Sequence, residues 1–208
     1  MYQRIKNEVV FLVGANISLG DIVYWFFRLN GCFTIQNFIV HSEGSAVPKT
    51  EVDLLAVRFP DRKELDMRDH PIFLTQKIQL FIVEEKNSKR SFNHPTKRNF
   101  DEILRRVGFV NDEEAEKIKE CLNANGKWED DKRYIELILV TKNKNHINDI
   151  GRHLSLKDDI LPFIYHRFRQ YHEQKKQHKE WPKSGILLFE LAANLDENVF
   201  IRVIEKII

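Results

Sequence analysis

The chain has 208 residues, 42% of them hydrophobic and 31% charged, with a formal net charge of +2. That length suits one domain with appended helices, and that composition excludes a disordered or fibrous chain. The longest apolar runs, Val9–Val13 and Gly185–Phe189, fall far short of the roughly 20 residues a spanning helix needs, and the start MYQRIKNEVV lacks a long apolar stretch with a small-residue cleavage site, so the expectation is a cytoplasmic protein with no membrane attachment.

Residues 17–30 predict a helix, with Ile22, Trp25, Phe26 and Leu29 on one face, Ser18 as its cap and Gly31 at its end. Cys32 opens a run rich in β-formers, 32–41, followed by a turn-like stretch, 42–49. Residues 51–59 predict a second strand, 60–78 a long charged excursion with two prolines, and 78–86 a third strand that is apolar until its end. After polar residues 87–98, Phe100, Ile103, Leu104 and Val107 mark a helix. Another begins at Asn111 with Glu114 as its capping-box partner, and Asn125-Gly126 marks a turn. Residues 133–141 predict a fourth strand, and helices follow at 161–171 and at the C-terminus. The order is helix, three strands in a meander, helix, strand, then helices, within a single domain spanning 1–208.

Cys32 and Cys121 are far apart and lack metal-ligand spacing, so they read as free thiols in a reducing compartment. Charge is uneven: from Lys142 to Lys183 there are ten Lys/Arg against five Asp/Glu, with five of the eight His. Such a tract serves either as a phosphate-binding face or as a solvated helix face. Within it, Tyr165, Arg167, Phe168, Arg169 and Tyr171 interleave aromatic and basic side chains. They either stack on nucleic acid or place their apolar members in the core with the arginines outside. His41, His70 and His94 are isolated and read as loop residues.

One group of residues carries chemistry. Glu84 and Lys86 close the third strand two positions apart, so both face the side of Leu80 and Ile82 while Glu85 faces the other way. Asp53 lies near the start of the second strand. If those strands are antiparallel neighbours, the start of one meets the end of the other, and the two carboxylates converge. Two carboxylates and a lysine supply metal-dependent phosphodiester hydrolysis economically: the acids hold a divalent ion, and the amine can support the attacking water or the charged transition state. Three further acid-x-Lys triplets lie in polar stretches, so the apolar strand in front of Glu84 distinguishes this one. The plain alternatives are a turn-capping role for Asp53 and an exposed ion pair at the strand end.

The pattern TEVDLLAVRF followed by LFIVEEKNS resembles the PD-(D/E)xK nuclease superfamily, which includes restriction endonucleases and Holliday-junction resolvases. The resemblance covers about residues 17–141 and leaves 142–208 as a C-terminal helical extension. It implies an α/β fold with a restriction-endonuclease-like αβββαβ core, a central mixed sheet flanked by helices. It further implies a Mg²⁺- or Mn²⁺-dependent nuclease acting on DNA. Asp53 and Glu84 match the metal-binding carboxylates, Lys86 the catalytic lysine, and Asp21 the acid that many members carry on the first helix. Val52 stands where some members have proline, and the Asp53–Glu84 gap is long. Gln36, Asn87, Arg167 and Arg169 are the candidate nucleic-acid contacts. The alternative is a catalytically inactive module of the same fold that binds nucleic acid or a partner protein. A homodimer is compatible with either reading.

Overall fold

Ser18 starts the first helix. Its hydroxyl accepts the Asp21 N–H at 3.0 Å, and the Asp21 carboxylate accepts the Ser18 N–H at 2.9 Å, so α1 (Leu19–Leu29) begins with a closed capping box. Its face of Ile22, Val23, Phe26 and Phe27 is buried. Gly31, with φ of 77°, turns the chain into β1 (Phe33–Ser42). The computed structural model describes residues 17–62, 66–73, 76–87, 91–142, 150–177 and 180–208. The Val9–Val13 run, Ser88 and parts of the basic tract lie outside these residues.

β1 pairs antiparallel with β2 (Ser45–Arg58), which pairs antiparallel with β3 (Ile78–Lys86). A three-residue 3₁₀ turn, Pro71–Phe73, lies on the excursion between β2 and β3. The crossover after β3 carries α2 (His94–Arg98), α3 (Phe100–Val107) and α4 (Asp112–Asn125). Asn111 and Glu114 close the expected capping box, and Gly126 ends α4 in the left-handed region with φ of 70°. A short strand, β4 (Lys127–Glu129), pairs antiparallel with β5 (Arg133–Thr141), which lies parallel to β3. β6 (Arg152–Ser155) adds parallel to β5. The result is a mixed six-stranded sheet ordered β1-β2-β3-β5-β4, with β6 also on β5. A π-helical turn, Leu156–Ile160, leads into α5 (Leu161–Arg169). The chain closes with α6 (His172–Lys175), α7 (Lys183–Asn194) and α8 (Glu197–Ile207).

Alternating strand residues split the core into two layers. Leu54, Ala56, Phe81, Val83, Ile138 and Val140 face α1, α5, α7 and α8. Val52, Leu55, Leu80, Ile82, Leu137 and Leu139 face α3 and α4. The protein is therefore α/β, with an open mixed sheet between helical layers.

The structure corrects several boundaries. β2 begins at Ser45, because residues 45–52 pair with β1 alone; β3 joins only from Leu54. That polar ribbon buries little, so its sequence reads as a turn. The C-terminal segment is not a purely helical appendage: it supplies β6 to the sheet, and its helices share a core with α1. α7 buries Leu187, Leu188, Phe189, Leu191 and Ala192 on one broad face, with Gly185 near its start. A Cβ at Gly185 would lie 1.8 Å from Cζ2 of Trp25, so the glycine allows the indole to pack on the helix backbone.

Candidate active site

The antiparallel β2–β3 ladder ends at Leu54↔Val83, which leaves Asp53 and Glu84 as the next residues on neighbouring strands. Alternation along β2 is interrupted there, since Val52 and Leu55 both pack on the α3–α4 side. The interruption coincides with Asn37 of β1, which lies between the pairs Gln36↔Leu54 and Phe38↔Val52 with φ of 51°. Asp53 consequently directs its carboxylate to the seam between β2 and β3, where Oδ2 accepts the Glu85 N–H at 2.8 Å.

Lys86 joins the two acids. Its Nζ is 3.1 Å from Glu84 Oε2 and 3.8 Å from Asp53 Oδ2. The Glu84 side chain is fully buried, whereas Asp53 is 30% exposed, so the cluster runs from the interior to an opening. Glu84 Oε2 also accepts the Asn93 N–H at 2.8 Å, from the residue just before α2. Its other oxygen, Oε1, is buried and has no hydrogen-bond partner among the described residues.

Glu85 points to the α1 side, as strand alternation requires. A Cβ at Gly20 would meet its Oε1 at 2.7 Å, so the carboxyl packs against the first turn of α1. Burial, reinforced by the negative charge of Asp53, pushes its pKa up to about 7; Lys86 opposes that rise, and Asp21 adds to it. Sequence reasoning set Glu85 aside because it faces away from Lys86. Its signal was present in the run of two acids before the lysine.

Asp21 is near enough to act on Glu85 electrostatically, but its carboxylate serves the helix cap, taking the Ser18 N–H at 2.9 Å and hydroxyl at 2.7 Å. Gln36 and Asn87 are exposed; Gln36 pairs in register with Leu54, the neighbour of Asp53, and Asn87 directly follows Lys86. Arg167 requires correction. It is 3% exposed, and its guanidinium donates to Arg68 O at 2.7 Å and to Asp69 Oδ1 at 3.1 Å. The helical spacing that places Phe163 and Phe168 inward carries Arg167 inward with them, over the Phe163 ring. Arg169 is exposed but donates to Ala192 O at 3.0 Å and lies over Tyr165. Both arginines therefore bind within the chain, Arg167 to the excursion after β2 and Arg169 to α7.

Cys32 and Cys121 are free thiols, and burial pushes Cys32 up to about 12, so it is an inert thiol at neutral pH. His70 is part-buried against Phe26 and Phe163, and burial lowers its pKa. Among the described residues, no three His, Cys, Asp or Glu side chains gather in a set able to hold a metal ion, and no helix is long and apolar enough to cross a membrane. The donor set at β3 is two carboxylates and one amine. A Mg²⁺ ion commonly takes one or two protein carboxylates and completes its shell with water and substrate phosphate oxygens. The unpartnered, buried Glu84 Oε1 fits that requirement.

No family model matches the chain, and no curated protein or solved structure matches it.

Proposed function

We propose that the protein is a divalent-metal-dependent phosphodiesterase of the PD-(D/E)xK type, acting as an endonuclease on DNA. The observation that carries this reading is the convergence of Asp53 and Glu84, from neighbouring strands, on the ammonium of Lys86. The element order supports it as well: a capped helix, an antiparallel three-strand meander, a helical crossover and a parallel strand correspond to the restriction-endonuclease-like core that the sequence resembles.

Asp53 and Glu84 would hold Mg²⁺ or Mn²⁺, which when bound acidifies a water and screens charge on the leaving oxygen. The chain's own groups do the rest. The Asn93 and Glu85 amides fix one oxygen of each carboxylate, so both acids are preoriented. Glu84 and Asp53 hold the Lys86 Nζ at the seam, where it stabilises negative charge developing on a phosphate. Asp53, at the open end, is the carboxylate that solvent and a phosphodiester reach first. Gln36 and Asn87, exposed beside it, are placed to contact the strand.

The test is cleavage of a panel of linear, branched and single-stranded DNA with Mg²⁺ or Mn²⁺, comparing the native chain with Asp53→Ala and Lys86→Ala. Cleavage that needs the metal and is lost in both variants is the expected result. Cleavage that survives both variants removes the site assignment. Absence of metal binding in calorimetry on the folded protein favours the alternative of a non-catalytic binding module.

A further inference from the structure

The far end of α1 holds a second concave site. The last turn of the helix, the segment that follows it, the loop after β2 and the stretch around α6 enclose a cavity of about 370 Å³. Gly20, which touches Glu85, and Arg28, which lines the cavity, are eight residues apart on α1, or roughly 12 Å at the helical rise. The cavity is thus separate from the Asp53–Glu84–Lys86 cluster.

Its walls combine two chemistries. The rings of Trp25 and Trp181 pack on each other at 58° with centroids 5.2 Å apart, Trp25 is buried, and Phe33, 71% exposed, lines the same cavity. Arg28, Arg62, Arg167 and Lys175 also line it, and no Asp or Glu does so among the described residues. Three of these cations, Arg62 among them, are engaged within the fold: Arg167 binds Asp69, and the Lys175 ammonium donates to the carbonyl of Arg167 at 2.8 Å and to that of Gln170.

Arg28 differs from them. Its Nη1 donates to the Tyr24 hydroxyl at 2.6 Å, its guanidinium lies 4.7 Å from the centroid of Trp25, and it forms no ion pair with a described carboxylate. A guanidinium has five N–H donors, so most of the fork remains for an anion. Arg62 reaches the same wall through a glycine. Gly31 has φ of 77°, and a Cβ there would fall 1.9 Å from Arg62 Nε, so the side chain crosses space that any other residue would fill. The buried, inert thiol of Cys32 on the same wall makes this a place for binding rather than covalent chemistry.

We propose that this cavity binds a mononucleotide, with its phosphate on Arg28, beside Arg62, and its base against Phe33 and Trp181. Arginine forks match phosphate oxygens in pairs, and aromatic faces accept any nucleobase. A volume of about 370 Å³ lies at the small end of the usual range for small-molecule sites, which favours one nucleotide over a strand.

The experiment is a titration of the metal-free full-length chain with AMP, GMP and UMP, followed by tryptophan fluorescence and calorimetry. Inorganic phosphate, adenosine and a short single-stranded oligonucleotide serve as comparison probes. The expected result is that a mononucleotide binds at least about tenfold more tightly than phosphate or adenosine, and that Arg28→Ala weakens it by about tenfold or more. Phe33→Ala changes an exposed ring, so the fold survives; it is expected to weaken the mononucleotide and leave phosphate unaffected. Asp53→Ala is expected to bind as the native chain does. Failure of all three mononucleotides to bind overturns the proposal, as does affinity indifferent to Arg28→Ala in a variant with native circular dichroism. Phosphate binding as tightly as a mononucleotide overturns the ring contact. Arg28-dependent binding of the oligonucleotide alone replaces the proposal with a strand-binding groove.

Discussion

Of the clusters that bury charge among the described residues, two differ in which charge is in excess. In one, Arg58 and Arg167, 5% and 3% exposed, converge on the single carboxylate of Asp69. The guanidinium of Arg58 also donates to the carbonyls of Asn30 and Phe73, and that of Arg167 to the carbonyl of Arg68. In the other, Lys86 faces Asp53 and Glu84, with Glu85 and Asp21 close by, so acids outnumber the cation. One oxygen of Glu84 and one of Glu85 remain buried without a hydrogen bond among the described residues. Burial of charge therefore does not by itself mark a site. The Asp69 cluster pins the excursion after β2 to α5, while the Lys86 cluster has unmet capacity for a cation.

The largest effect that separates the two is on cleavage. Glu84→Gln keeps the shape and removes the buried charge, and it is expected to lower metal-dependent cleavage by more than about 100-fold, measured as single-turnover rates. Unchanged rates would make both clusters structural. The reciprocal change, Asp69→Ala, is expected to cost about 3–5 kcal/mol in denaturant unfolding, since two buried guanidiniums lose their counter-charge. A loss under about 1 kcal/mol would show that water reaches Arg58 and Arg167 after all.

Glu85 gives a subtler test through pH. Its pKa in the folded chain, about 7, lies above the ordinary carboxyl value, so the folded state holds the proton more tightly than the unfolded state. The stability this contributes is complete below the unfolded value and is lost as pH rises through about 7. Glu85→Gln removes that dependence, and in the metal-free protein it is expected to be more stable than the native chain at pH 8 by about 1–2 kcal/mol, a figure reduced from the full shift because solvent reaches the group. Parallel stability-against-pH curves for the two proteins would contradict the burial of this carboxyl.

The smallest effect concerns Asp21. Asp21→Ala opens the capping box and is expected to cost about 0.3–1 kcal/mol while leaving cleavage unchanged. Collapse of cleavage would instead show that the carboxylate leaves Ser18 to join the metal.

Much of this was legible in the chain. Apolar, β-forming runs located β3 and β5, period-3.6 patterns located α1, α3 and α4, and the Ser18 and Asn111 caps were readable from residue type and spacing. Strand alternation correctly put Glu84 and Lys86 on one face and Glu85 on the other. β4 and β6 were not legible, because three- and four-residue strands are too short to show a period. Arg167 was misread because a helical face specifies which side chains point inward, not which of them finds a carboxylate there. Asp69 is 98 residues away in sequence.

Local elements, and the order of acid, acid and lysine, follow from neighbours within a few residues along the chain. The tertiary structure decided the rest: that β2 and β3 run antiparallel with Asp53 just beyond their last pair, that Asn93 caps Glu84, and that α1 packs Gly20 onto Glu85. The first and last of these join residues far apart in the chain. Their geometry follows from how helices and sheet pack around a shared core, which no short-range pattern encodes.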